Sequence, residues 1–341
     1  MNKLLLALLL FLLSFSWIKV TASDSCPASF PWKAQWINTE RCQSATNTWL
    51  IYRKSFAVTN VPNQLIARIA ADSKYWLWIN DQLVIFEGGL KRGPSPSGTY
   101  YDPVDIAPYL TKGSNTIAIL LWHFGKDGFS HINSGKAALL FEAIAPGLEI
   151  VSDASWQCAL YEAYQNTEAP FPNYRMPESN IRFDARQAIT NWNRTSFEGS
   201  LPGAVCVGKA GEAPFGDLVE RPIPQWKNSG LLSYVSVRES LRGDTLFCRL
   251  PYNAQITPYL KVEAEAGKTI HIRMDNYEGG SERNVRAEYI TREGEQEYES
   301  YGWMNGHEVY YIIPEGVKVL DVKYRETGYN TDLAGSFHCD D

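Results

Sequence analysis

From Trp36 onward apolar and polar positions alternate with period two, the signature of strands that turn one face toward a core. TWLIYRKSFAV (48–58) and IARIAAD (66–72) read as strands on this pattern. YWLWINDQLVIF (75–86) reads as a strand pair turning at Asn80-Asp81, residue types suited to a tight hairpin. NTIAILLWHF (115–124) is a more continuous apolar run, as expected of a strand buried on both faces, and AALLFEAI (137–144) follows it. EGGLKRGPSPSGTYYD (87–102) and GKDGFSHINSGK (125–136) lie between these runs and read as loops, punctuated by Gly and Pro. SDASWQC (152–158) reads as a further strand. No stretch keeps a helical period over ten or more residues, so the pattern predicts an all-β chain of sandwiches or jelly rolls.

The middle third is less regular. NTEAPFPNYRMPESNIRFDARQAITNWN (166–193) is loop-like and rich in proline. PFGDLVERPIPQWKNSG (214–230) reads as an extended linker, since proline disfavours both helix and central strand. Strand patterns resume in SYVSV (233–237), YLKVEAEAGKTIHIRMDN (259–276), RAEYITREGEQEYES (286–300), EVYYIIP (308–314) and KVLDVKYRETGY (318–329), enough for a second sandwich. The predicted organisation is therefore a first β-domain over residues 23–225, with a loop-rich insertion, and a second over 226–341.

The first residues follow a different pattern. Lys3, an apolar run from Leu4 to Ile18 and the small-residue site Val20-Thr21-Ala22 predict a secretory signal peptide over residues 1–22. The run falls short of the ~20 residues of a membrane helix. A periplasmic or extracellular protein with no membrane span is expected. Export permits disulfides. Cys26, Cys42, Cys158, Cys206, Cys248 and Cys339 are too scattered for a disulfide scaffold, and Cys26 with Cys42 is a candidate bridge. No CxxC pair occurs and no His stands at ligand spacing from a Cys, so no structural zinc is expected.

Composition narrows the function. A net charge of -6 argues against a nucleic-acid partner, which needs a basic surface. Eleven Trp and nineteen Tyr are many for 341 residues and suit thick β cores or surfaces that stack on sugar rings. No GxSxG elbow, Walker loop or dinucleotide fingerprint is present, so no cofactor is indicated. A glycosidase needs paired carboxylates. Glu295, Glu297 and Glu299 alternate in EGEQEYE as on a solvated sheet face, and Asp275 and Glu278 suit a turn.

Two loop clusters have the mixture of flat rings and hydrogen-bonding groups that a sugar site requires. In the first, Trp122 and His123 end an apolar strand, and Lys126, Asp127, His131 and Asn133 follow in a Gly-rich loop. Lys91 and Arg92, at the tip of another loop, are candidates to join it. The second is SYGWMNGHEVYY (300–311), where Trp303, Asn305 and His307 surround a predicted turn. Packing explains both clusters as well: a loop folded on itself with His123 in the core, and a hairpin turn with a packed Trp.

ADSKYWLWINDQLV (71–84), TYYDPVDIAPYLTKGSNTIAILLW (99–122), RFDAR (182–186) and the run 251–341 together resemble the N-terminal β-domains of bacterial α-L-rhamnosidases of glycoside hydrolase family 78. The resemblance implies a galactose-binding-like jelly roll followed by a second sandwich. It also implies an inverting hydrolase acting on terminal L-rhamnose, whose acidic catalytic residues lie in a following (α/α)6 barrel. No amphipathic helix occurs here, so no catalytic residue is carried over, and FHCDD (337–341) resembles the approach to that barrel. The expected partners are rhamnose-containing glycans and the C-terminal catalytic domain, with the chain alone inactive. A stand-alone glycan-binding surface protein and a small all-β glycosidase are the alternatives.

Overall fold

The computed structural model describes residues 31–341 except 43, 90–92, 96, 129–130, 170–179, 278–284, 332–337 and 340–341. The predicted signal peptide, Cys26, Lys91, Arg92, Glu278 and, in FHCDD, Phe337, Asp340 and Asp341 therefore lie outside the described residues. Lys33–Asp341 forms one unit. Its strands are β1 (Gln35–Asn38), β2 (Thr48–Val58), β3 (Ile66–Asp72), β4 (Lys74–Ile79), β5 (Gln82–Gly88), β6 (Gly98–Asp105) and β7 (Gly113–His123). There follow β8 (Ala138–Ala145), β9 (Leu148–Val151), β10 (Gln157–Leu160), β11 (Tyr164–Asn166), β12 (Ile181–Asp184), β13 (Val205–Lys209) and β14 (Asp217–Glu220). The last seven are β15 (Ser236–Glu239), β16 (Thr245–Ala264), β17 (Thr269–Met274), β18 (Ala287–Ile290), β19 (Gly294–Glu299), β20 (Met304–Ile312) and β21 (Val317–Glu326). The chain is all-β, as its alternation predicts.

Two sheets make the first sandwich. One is ordered β13-β1-β8-β3-β6-β14, with β9 beside β8, and the other β10-β2-β7-β4-β5. Between them sits an aliphatic core in which Leu50, Leu77, Ile119 and Leu121 from the second sheet meet Ile69, Leu139 and Phe141 from the first. The five-stranded sheet is buried on its other face too, where Trp49, Trp76, Trp78, Leu120 and Trp122 form an aromatic layer with Tyr161, Tyr164 and Trp192. Burial on both sides explains why β7 reads as a continuous apolar run. The β4–β5 hairpin turns on Asn80 and Asp81, both with positive φ (47° and 71°), the conformation that a two-residue primed turn demands. Asn80 then fastens the turn, donating to the Tyr109 carbonyl (2.9 Å) while its own oxygen accepts from the Thr116 amide (3.0 Å).

The third sheet is ordered β11-β12-β18-β17-β20-β16-β15, with β19 and β21 also on β16. Residues 245–249 of β16 pair with β15 and β20, and a register irregularity before Ala254 separates them from residues 259–264, which pair with β19 and β21. One long strand is thus shared by both layers around a core that includes Leu260, Ile272, Tyr289, Val309 and Tyr311.

The sheets divide the chain differently from the boundary expected at residue 226. β11 and β12 precede that point, yet β12 runs parallel to β18, with Arg182 opposite Glu288, and belongs to the third sheet. The supposed linker is also in part a strand: β14 pairs in parallel with β6 of the first sandwich, Asp217 opposite Gly98. Residues 152–156 are no strand but the turn between β9 and β10, held by a Trp156 amide bond to the Asp153 carbonyl. Proline content and loop-like composition hid these pairings because long-range partners supply them.

Candidate functional site

At one end of the first sandwich β3, β4 and β7 bring Asp72, Ser73 and His123 together. The buried Asp72 carboxylate accepts from Ser73 Oγ (2.9 Å) and the Ser134 amide (2.5 Å), and His123 Nδ1 lies 3.0 Å from it. Burial pushes the Asp72 carboxyl up, but the bonds from His123 and Ser134 outweigh it and leave it below its ordinary value. Beside it Lys74 Nζ and Glu87 Oε2 form a 3.1 Å ion pair whose side chains are 0% and 2% exposed. The ammonium lies 4.9 Å from the Trp122 ring centre, 5.5 Å from that of Trp76 and 5.6 Å from that of Phe124. Asp102 is a third buried anion, held by Tyr75 Oη (2.8 Å), the Gly89 amide (2.7 Å) and Arg221 Nη1 (2.9 Å). Three carboxylates matched to three buried partners tie the strand ends into a scaffold.

The predicted loop cluster is divided by this scaffold. Trp122 is 1% exposed, stacked on Trp49 at 4.4 Å, with its indole N–H donated to Asn47 (2.7 Å). His123 is fully buried, and His131 lies edge-on to Phe124 at 4.6 Å, itself 1% exposed. These three rings therefore present no face to a ligand, because the loop after β7 folds back over the strand end. Lys126 and Asp127 are exposed, and Asp127 accepts from the amide (2.9 Å) and side chain (2.8 Å) of Asn133. A cavity of about 40 Å³ lies nearby, lined by Asp72, Ser73, Ser97, Thr99, Asn133 and Ser134, with space for water rather than a sugar.

The second cluster lies at the start of β20 rather than around a hairpin turn, with Trp303 just before the strand and Asn305 and His307 within it. Trp303 and Asn305 are half-buried, and Asn305 stands opposite Gln255 of β16. His307 is exposed; its amide donates to Asp275 (2.8 Å) and its Nδ1 is 3.3 Å from the same carboxylate.

A larger crevice, about 160 Å³, lies where the aromatic layer of the first sandwich meets the third sheet. Trp78 and Leu120 form its floor on the five-stranded sheet. Trp192 stands perpendicular to Trp78 (5.5 Å, 82°), its carbonyl and that of Arg194 gripped by Arg53 Nη1. Tyr161 and Tyr164 line it from the segment around β11, and Phe183 of β12 stacks on Tyr298 of β19 (5.3 Å, 24°). Tyr301, Asn193, Glu297 and Glu299 complete it. Burial pushes the phenols of Tyr161, Tyr164, Tyr298 and Tyr301 far above their ordinary value, so all four stay neutral.

The carboxylates of β19 play unequal parts. Glu295 is exposed and meets Lys261 at 2.5 Å. Glu297 is exposed and accepts from Tyr259 Oη (2.8 Å). Glu299 is half-buried and held by Arg325 through two bonds (2.8 and 3.0 Å) and by Thr257 Oγ1 (2.9 Å). A carboxylate fixed by a bidentate arginine is a structural anion, poorly suited to shuttle a proton. The alternation EGEQEYE describes a solvated face for Glu295 and Glu297 only, since Glu299 is half-buried and engaged by Arg325 and Thr257.

RFDAR is structural as well. Arg182 pairs with Glu288 (2.8 Å), and Asp184 accepts from the Arg186 amide (3.1 Å) and guanidinium (2.7 Å). Sequence reasoning missed the crevice because its walls come from six separate stretches of chain, none with a local signature. Among the described residues no group of three or more His, Cys, Asp or Glu is placed to hold a metal, and no helix is long and apolar enough to cross a membrane.

Neither a family model nor a curated protein sequence matches the chain. Solved structures do. A family GH78 rhamnosidase of Bacillus sp. GL1 superposes with a TM-score of 0.77 at 17% identity, over 92% of this chain and 57% of that one. The α-L-rhamnosidase of Dictyoglumus thermophilum gives 0.68 at 20% identity, over 91% of this chain and 37% of that one. That of Aspergillus terreus gives 0.63 at 19%, over 85% and 36%. The chain thus spans about a third to a little over half the length of these enzymes. At such identities the likeness is one of fold, and the described strands have the architecture of part of an α-L-rhamnosidase.

Proposed function

We propose that this stretch of chain is the accessory β-domain portion of an exported rhamnosidase-type glycoside hydrolase, and that it recognises rhamnose-containing glycans without hydrolysing them. The observation that carries the reading is the match of nearly the whole chain to only 36–57% of three such enzymes. The fixed Glu299–Arg325 pair and the exposed Glu297 supply no evident acid and base converging on one cleft. Secretion rests on residues 1–22 and is part of the same proposal. Catalysis would belong to a helical domain joined to these sandwiches.

Purified chain is to be incubated with an aryl α-L-rhamnoside and, separately, with a rhamnose-bearing polysaccharide. The proposal expects release no faster than in buffer, together with retention on the polysaccharide. Release well above the buffer rate, with contaminating enzyme excluded, overturns the non-hydrolytic role, and absence of retention overturns the glycan-binding role.

A further inference from the structure

We propose that the outer face of the third sheet, where β17, β20, β16 and β15 lie side by side, binds a stretch of anionic polysaccharide whose carboxylate or sulfate groups meet Arg273 and Arg238. The inference goes beyond the recognition of rhamnose-containing glycans and does not depend on it. Three observations carry it.

The first is a stripe set by the register. Arg273 of β17 stands opposite Tyr310 of β20, Tyr310 opposite Phe247 of β16, and Phe247 opposite Arg238 of β15. Ile272, Val309, Tyr311 and Cys248 beside them belong to the core, so alternation turns the stripe to the other face. At ~4.8 Å per strand its two arginine positions lie roughly 14 Å apart, with two rings between them. Phe247 and Tyr310 are half-buried and meet edge to face (5.2 Å, 72°), and the Arg238 guanidinium carbon lies 4.3 Å from the Phe247 ring centre. The second is charge. Among the described residues, this face of the four strands carries Arg273, Arg238 and Arg249 against one carboxylate, Glu308, 3.7 Å from Arg238. Asp275, just past β17, is already occupied by the amides of His307 (2.8 Å) and Glu308 (3.2 Å). In a chain of net charge -6, such a local excess of cations draws anions to one place.

The third is Arg273 itself. The residue is half-buried, and its Nε is shut off from water with no hydrogen-bond partner. Burial, and after it the like charge of Arg286, hold the guanidinium below its ordinary value, while Glu288 pulls the other way. Glu288 is itself taken, by Arg182 (2.8 Å) and Arg286 (2.7 Å). An anion laid along the stripe supplies the counter-charge that Arg273 lacks, and a guanidinium fits a carboxylate or sulfate through paired N–H donors. The rings between the cations favour a sugar chain as the carrier. A pyranose lays its C–H face on aromatic surface while its charged substituent projects to one side. A polyglutamate chain offers the charges without the rings.

The test is calorimetric titration of the full chain with polygalacturonate, dextran sulfate, neutral dextran and poly-L-glutamate, on wild type, Arg273→Gln, Arg238→Gln and Lys33→Gln. Lys33 is an exposed cation of the first sandwich and controls for net charge. Folding of each variant is checked by its thermal midpoint. Arg238 is exposed, so Arg238→Gln decides the matter alone if Arg273→Gln does not fold. Expected are saturable binding of polygalacturonate or dextran sulfate that weakens with added salt, and none of dextran. Arg273→Gln should weaken it roughly tenfold and Arg238→Gln several-fold, with wild-type affinity in Lys33→Gln. The tighter of the two polyanions identifies carboxylate or sulfate as the group held. Binding of neither polyanion, wild-type affinity in the folded arginine variants, or equal weakening in Lys33→Gln overturns the stripe. Polyglutamate bound as tightly as the polysaccharides overturns the choice of carrier. Retention on a neutral rhamnose-bearing polysaccharide is read separately, so failure of the stripe leaves the proposed glycan recognition standing, and the reverse holds.

Discussion

Lys74→Met removes the cation of an ion pair that has almost no contact with water. The Lys74 and Glu87 side chains are 0% and 2% exposed, so the variant strands a carboxylate in the interior. Breaking one partner of such a pair costs about 3–5 kcal/mol, because the remaining charge keeps its desolvation penalty and loses its attraction. The ammonium also faces Trp76, Trp122 and Phe124, which adds roughly 0.5–2 kcal/mol of cation–π attraction to the loss. At ~2–4 °C per kcal/mol, a 4 kcal/mol cost lowers the thermal midpoint by about 8–16 °C. Glu87→Gln in the Lys74→Met background neutralises the stranded charge, and the double variant is expected to recover a large part of the loss. The assay is urea unfolding of wild type, both single variants and the double. Single variants within 1 kcal/mol of wild type, or strictly additive effects in the double, refute the reasoning.

Other outcomes follow from the same structure. Burial raises the Glu288 carboxyl, but Arg182 and Arg286 outweigh it and leave it below its ordinary 4.5; burial holds His271 below its ordinary 6.5. Both groups therefore contribute stability that is present at neutral pH, His271 losing its share as pH falls below 6.5 and Glu288 below 4.5. Unfolding free energies measured from pH 8 to 3 should decline in that order, and His271→Gln should flatten the upper part; a curve rising toward acid contradicts the assignment. Asp81→Gly loses the bonds from Thr195 (2.5 and 3.0 Å) and costs about 1 kcal/mol, whereas Asp81→Ala costs about 1 kcal/mol more because φ is 71° there. Equal midpoints for the two variants refute the turn argument. Residues 226–341 produced alone lack β11 and β12 and leave the β18 edge bare, so they should aggregate, while 160–341 should be more soluble; equal solubility counts against the crossing strands.

The legible parts of the sequence were those governed by local rules. Alternation located β2, β3 and the β4–β5 hairpin, and Asn80-Asp81 marked the turn that its two positive φ values require. β14 was illegible because four residues among prolines become a strand only when β6 lies alongside. The candidate site fared worse for a related reason. Trp122 and His123 end a strand as a binding platform would, yet a loop that follows them in sequence covers them in space. Tyr161, Phe183, Trp192 and Tyr298 meet only after three sheets have formed, and an abundance of aromatics says nothing of which rings will meet.

The pairing of β12 with β18 also sets a schedule for synthesis. Asp184 leaves the ribosome roughly a hundred residues before Ile290, its partner in the register. At ~5–20 residues per second, Phe183 and its neighbours wait about 5–20 s for the strand that completes their sheet. Through that interval β12, paired with β11 on one side, keeps its other edge without the strand that completes it. Slower translation of residues 185–290 would lengthen the exposure of that edge.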